Sequence, residues 1–405
     1  MRFELVYCLW LFIIIVINRT ITRPVFRWHP VLSLYALFLA AVITATLLAI
    51  PTVEKVDIFG QAVILYGLLR PLLVMFLFLN ARLDEAFARR VLWVVVWLSI
   101  PLALFSIAQV IDLSIAEKVT ILFYTSPARS PVFALIEETG SIIRACSVFE
   151  SPLYNAAYFL LVLLAGGVFV LTAECNPFQR RILYVSLGAA IIGGIVTLTS
   201  TFFIGVILSI CLIFLIVRPR YQVLFSGRSA ATICIVIVLI LALLLITQTS
   251  GNTAFVGTLN YQIHRILSGS VLESRYDPET GFLLNTYQAL LKRPLLGWGV
   301  LPQEGVFVGD SLYLVLLYRG GLVGFGLFFL TIYRILMHAW KQQNAPAMYG
   351  ITNKIIIIST LLFLAIGVGQ TAFLTIRIEE FYWALTGMGL NRAILSSNHM
   401  QTEMT

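Results

Sequence analysis

Charge is what this sequence has least of. Asp, Glu, Lys and Arg make up 11% of its 405 residues, against about 25% in an ordinary soluble domain. Apolar residues make up 60%, against about 45–50%. That balance excludes a soluble globular chain. Cysteine is scarce and scattered. Cys8, Cys146, Cys175, Cys211 and Cys234 contain no Cys-x-x-Cys pair and join no histidine. Three fall within apolar runs, where cysteine behaves as a small hydrophobe. Neither a disulfide nor a zinc site is expected. His29, His264, His338 and His399 are too dispersed for a metal site, so no metal is expected. There is no Ser/Gly-rich linker, internal repeat or low-complexity tract. The apolar stretch Leu5–Ile17 is followed by Asn-Arg-Thr, not by a small-residue cleavage site, and reads as a retained helix. The net charge of +8 would suggest nucleic acid in a soluble protein. Here it is explained by the Lys and Arg that collect in cytoplasmic loops, and no nucleic-acid partner is expected.

What the sequence does have is apolar runs of about 20 residues, the length an α-helix needs to cross a bilayer. They predict an all-α polytopic membrane protein, a single integral membrane domain over 1–405. The spans are 3–17, 31–50, 58–80, 91–113, 147–172, 182–198, 202–217, 229–247, 310–336, 355–375 and 380–396, eleven in all within a range of ten to twelve. With these spans, Arg19, Arg23, Arg27, Arg82, Arg89, Arg90, Arg180, Arg181, Arg218, Arg220, Arg228, Lys341 and Lys354 fall on one side. By the positive-inside rule that side is cytoplasmic. The run 182–217 would be about 54 Å long as one helix at 1.5 Å per residue. The hydrocarbon core is about 30 Å thick. One helix would also split Arg180 and Arg181 from Arg218 and Arg220, so a hairpin turning near Thr197–Thr201 is expected. Two long connections, 114–146 and the large loop 248–309 between helices eight and nine, then face outward. Loops longer than about 15 residues are commonly functional. Within the second, Leu283, Tyr287, Leu290 and Leu291 carry helical spacing, which predicts a short helix along the membrane surface.

The candidate site lies mainly between Arg265 and Gly324. The outer loops hold Lys118, Arg129, Arg144, Arg265, Arg275, Lys292 and Arg293. A guanidinium is a permanently charged fork suited to phosphate and pyrophosphate oxygens. Each could instead pair with Glu137, Glu138, Glu150, Glu273 or Asp277, or lie in the head-group zone. Two further arginines fall inside spans: Arg70, before Pro71, and Arg319, before Gly320 and Gly321. A charge at the bilayer centre costs about 2.5–3.5 kcal/mol on insertion scales and normally faces a cavity. The alternative is an intramembrane ion pair, for which few acids lie at that depth. Asp310 opens span nine, followed by Ser311 and Tyr313. It could cap the helix or act as a general base toward a hydroxyl.

Three stretches resemble the O-antigen polymerase and O-antigen ligase superfamily of bacterial envelope glycosyltransferases. They are RACSVFESPLYNAAY from Arg144, the loop with Arg265, Arg275 and RPLLGWGV, and DSLYLVLLYRGGLVGFGLFF from Asp310. Together they cover roughly 144–330; the first third of the chain is similar only as generic helices. The resemblance implies a GT-C-like helical fold and a metal-independent glycosyltransferase with no cofactor. Its donor would be an undecaprenyl-pyrophosphate-linked glycan, used at the periplasmic face of the bacterial inner membrane. Arg144 and Arg275 would then be catalytic, holding the pyrophosphate leaving group. Asp310 would be the base or would orient the acceptor. Arg265, Arg319, Arg70 and Tyr313 would bind substrate. Relatives that act as ligases carry histidine where this chain has Asp310, which favours a polymerase over a ligase acting on lipid A-core or protein. A flippase and a chain-length regulator are the implied partners. A lipid-linked sugar transporter is disfavoured, because the basic residues gather at one face and no repeat is visible.

Overall fold

The computed structural model describes residues 26–52, 57–81, 83–110, 144–149, 151–173, 175–217, 253–270, 276, 282–302, 306, 311–375 and 378–391. Spans 3–17 and 229–247, most of loop 114–146, and the candidate residues Arg275 and Asp310 lie outside them. The described residues form twelve α-helices and no strand. In order they are α1 (Pro30–Ala49), α2 (Ile58–Asn80), α3 (Glu85–Trp97), α4 (Ser99–Val110), α5 (Pro152–Thr172) and α6 (Pro177–Ile195). Then come α7 (Ser200–Val217), α8 (Thr253–Ser268), α9 (Phe282–Lys292), α10 (Leu312–Gln342), α11 (Ala347–Ile366) and α12 (Ile378–Leu390). Among the described residues, seven segments are long and apolar enough to cross a membrane: α1 with its 3-10 extension, α2, α3 joined to α4, α5, α7, α10 and α11. The chain is a polytopic helical membrane protein. α6 and α12 lie where spans were expected but are not among the seven. α12 has 13 residues, about 20 Å of helix. α6 begins with the polar turn Gln179, Arg180, Arg181.

Boundaries differ from the expected spans for local reasons. α5 starts at Pro152 and not near residue 147, because Pro152 is preorganised for the first turn and the Ser151 side chain accepts from the Leu153 N–H. α11 runs 347–366 and not 355–375, because Pro346 sets its start and the chain turns after Gly367. The hairpin expected near Thr197–Thr201 is present. α6 ends at Ile195, a turn follows with Leu198 at φ 47°, and α7 begins at Ser200. The expected short helix in the large loop is α9.

The chain divides into two compact units, residues 1–89 with 272–405, and residues 90–271. In the first, α10 lies along α1 and α12 along α2, with α11 against both α10 and α12. Tyr35, Phe38, Phe328, Phe373, Tyr382 and Trp383 interlock edge-to-face at its core, a geometry that aromatic quadrupoles favour. At one end the Asn391 side-chain amide donates to the Phe78 and Ala81 carbonyls, at 3.0 and 2.9 Å, tying the end of α12 to the end of α2. In the second unit, α5 packs on α6 and α7, and α4 packs on α6.

Candidate functional site

The second unit, taken by itself, holds Arg144 and the short loop after it. Three elements fix that loop. The Ala145 N–H donates to the Val196 carbonyl at 3.1 Å, so the loop rests on the tip of the α6–α7 hairpin. Gln109, in the last turn of α4 and fully buried, accepts from the Cys146 and Ser147 N–H groups at 3.2 and 2.7 Å. It also donates to the Ser147 carbonyl at 3.1 Å. Asn155, buried in the first turn of α5, donates to the Ala145 carbonyl and to Ser106. Ser147 itself sits at φ 52°. Four backbone groups of an irregular segment are thereby satisfied by two amide side chains, as buried backbone polar groups require.

The Arg144 guanidinium lies partly buried beyond this loop, its Nε donating to the Thr197 carbonyl at 3.3 Å. α8 brings Arg265 within electrostatic reach of it. Leu259 of α8 packs in one cluster with Ala145, Val196 and Leu198. Leu259, Gln262 and Ile266 form a stripe at helical spacing, and Arg265 stands next to it, over the Tyr261 ring at 5.5 Å. Burial chiefly, and then the charge of Arg265, push the Arg144 guanidinium below its ordinary pKa, with Cys146 acting the other way. Neither arginine has a carboxylate partner among the described residues. Two cations far apart in sequence thus lie within electrostatic reach of each other, one of them partly desolvated. Such a pair is relieved by an anion with several oxygens.

In the first unit the PLLGWG turn and the RGG step in α10 are one device. α10 breaks at Gly321, at φ 57° and ψ −159°. A break inside an apolar helix strands carbonyls on one side and N–H groups on the other. The turn satisfies both. Trp298 and Gly299 N–H groups donate to the Tyr318 and Arg319 carbonyls at 2.8 and 3.0 Å. Leu322 and Val323 N–H groups donate to the Pro294 and Leu295 carbonyls at 2.9 and 3.0 Å. A Cβ on Gly321 would come within 2.5 Å of the Leu295 carbonyl, and one on Gly297 within 2.4 Å of the Tyr318 oxygen.

Arg70 is buried and pairs with Glu379 and, at 2.8 Å, with Glu380, both in the first turn of α12. Arg319 lies within electrostatic reach of Glu379 and of Tyr35. Arg70, Glu379 and Glu380 thus form a charge cluster, with the half-buried Arg319 within electrostatic reach of it. The sequence expectation of few acids at that depth is corrected: Glu379 and Glu380 supply them. Tyr313 donates its hydroxyl to the Leu364 carbonyl at 2.6 Å and stacks on Phe329, which holds the mouth of α10 to α11. Tyr276, next in sequence to Arg275, bonds Ser311, next in sequence to Asp310, at 2.8 Å. Ser311 is the N-cap of α10, and its side chain makes no capping bond. Sequence reasoning missed Gln109, Asn155 and the Glu379–Glu380 pair. The signal available was a lone amide at the end of an apolar run, and two adjacent acids opening the last one.

No protein-family model matches the chain, and no curated protein matches it at a significant level.

Proposed function

We propose that this protein is a polysaccharide polymerase of the bacterial inner membrane, with a GT-C-like fold and its reaction on the periplasmic face. It moves a glycan chain from undecaprenyl pyrophosphate to a lipid-linked repeat unit. The acceptor hydroxyl oxygen attacks the anomeric carbon, the bond from that carbon to the pyrophosphate oxygen breaks, and undecaprenyl pyrophosphate departs. Negative charge grows on the leaving group, and cations already in place stabilise it without reorganisation. The observation that carries this reading is the Arg144–Arg265 pair, two guanidinium groups within electrostatic reach of each other with no carboxylate among the described residues to neutralise them. Arg275 is assigned the same task. Asp310 takes or orients the proton of the acceptor hydroxyl. A flippase supplies the substrate and a chain-length regulator attends the product.

The test is polymer length in cells carrying Arg144→Ala, Arg265→Ala or Arg275→Ala, with membrane levels of each variant checked. Loss of one such electrostatic contact lowers turnover by about 10²–10³-fold. The expected product is therefore a single lipid-linked repeat that fails to lengthen. Normal ladders in Arg144→Ala would remove the pyrophosphate role.

A further inference from the structure

Beside the kinked α10 lies an open groove of about 400 Å³ that the transfer reaction leaves unused. Its walls are Ala45 and Leu48 from the end of α1, and Pro294, Leu295 and Leu296 from the interlocking turn, with Arg293 at its rim. That volume falls within the range of about 300–1,000 Å³ typical of ligand pockets. The lining is apolar apart from Arg293. Leu48 and Leu295 are well exposed on its walls.

The rim is built with care. The Arg293 guanidinium stacks over the Trp298 ring, 4.6 Å from its centroid. Trp298 is buried and fixed by its indole N–H, which donates to the Ala289 carbonyl at 2.9 Å. One face of the guanidinium is therefore occupied, and its N–H edge stays available for oxygens. Lys292 beside it is exposed at the end of α9. Neither cation has a carboxylate partner among the described residues. One fixed fork at the rim of an apolar slot, at the end of a membrane-spanning helix, matches a phosphodiester with a hydrocarbon tail.

We propose that this groove binds one anionic phospholipid of the surrounding bilayer, its phosphate on Arg293 and an acyl chain between Leu48 and Leu295. A single diester charge suits a single oriented guanidinium, whereas a pyrophosphate calls for more cations. The site needs no glycan donor, so its fate is separable from that of the transfer reading.

The full-length chain, purified in detergent, is offered equal amounts of phosphatidylglycerol and phosphatidylcholine, and retained lipid is counted by native mass spectrometry. One phosphatidylglycerol per chain is expected in preference to phosphatidylcholine. Arg293→Gln lowers that retention by roughly tenfold or more, the weight of one charge-assisted phosphate contact. Leu48→Trp fills the slot while leaving both charges, and abolishes retention of either lipid. Gel filtration checks that each variant stays folded; should Arg293→Gln not, Leu48→Trp decides. No preference in the wild-type chain, or unchanged retention in the folded variants, overturns the proposal. So does displacement of phosphatidylglycerol by undecaprenyl phosphate at equal concentration, which would assign the groove to the donor.

Discussion

Arg70 is 4% exposed and Glu379 1% exposed, and their ion pair explains how an arginine next to Pro71 is tolerated inside a span. Removing one partner of such a pair leaves an uncompensated buried charge, at a cost of about 3–5 kcal/mol. Arg70→Met is therefore expected to unfold at a markedly lower temperature, and Arg70→Met with Glu379→Gln to recover much of the loss. Detergent-phase thermal unfolding measures both. A stable Arg70→Met protein that lacked the proposed polymerase activity of the wild type would give Arg70 a role toward substrate instead. Gln109 is a second residue-scale case. Gln109→Leu leaves the Cys146 and Ser147 N–H groups buried and unbonded, at about 1–3 kcal/mol each. Because that loop carries Arg144, the substitution should, under the proposed function, shorten polymer as well as lower stability. Gln109→Glu keeps the acceptor and should restore more of the activity than Gln109→Leu. Equal activity of the two would reduce Gln109 to a purely packing role. Neither Gln109 nor the Arg70 partners could be paired from sequence, since contacts between distant segments leave no local spacing. The arginines themselves were legible, because a charge in an apolar run is conspicuous.

Among elements, α10 shows how sequence motifs can be visible while their meaning is not. The glycines of PLLGWG and RGG are plain in the sequence, and Pro–Gly punctuation announces a turn. What joins them is four backbone hydrogen bonds, which have no side-chain signature. The backbone at Gly321 sits in a region open essentially to glycine, costing other residues roughly 1–3 kcal/mol before any clash. Its Cβ would also meet the Leu295 carbonyl at 2.5 Å. Gly321→Ala should thus dislodge the turn, lowering the unfolding temperature and increasing proteolysis near Leu295. Gly326→Ala, where a Cβ meets nothing within 4 Å, serves as the control and should be close to neutral. Equal behaviour of the two would mean that the interlock contributes little. The boundaries of α5 and α11 were misjudged for a related reason. Hydropathy sees the apolar run, while prolines at 152 and 346 decide where the helix begins.

At the scale of the molecule, charge read the α6–α7 hairpin where hydropathy could not. Residues 182–217 are continuously apolar, and only the basic clusters at both ends argue for two crossings. The helices have 19 and 18 residues, about 27–29 Å long, near the thickness of about 30 Å of the hydrocarbon core, and of the two α7 is the one apolar enough along its length to count as a span. Their tip carries the Arg144 loop, through the Ala145 to Val196 hydrogen bond. The end of the hairpin bearing Arg180 and Arg181 is therefore the far end from Arg144. If basic residues mark the cytoplasm, Arg144 and Arg265 stand at the opposite face, where a lipid-linked donor would meet them in the proposed reaction. In a background lacking the five cysteines, Arg180→Cys and Arg218→Cys should both react with an impermeant thiol reagent only after the cytoplasmic side is opened. Ser147→Cys is buried and would be a poor reporter, so Arg265→Cys, partly exposed at the end of α8, is the better probe and should label from outside in intact spheroplasts. Labelling of Arg180→Cys and Arg265→Cys from the same side would break the topology and, with it, a periplasmic site for glycan transfer.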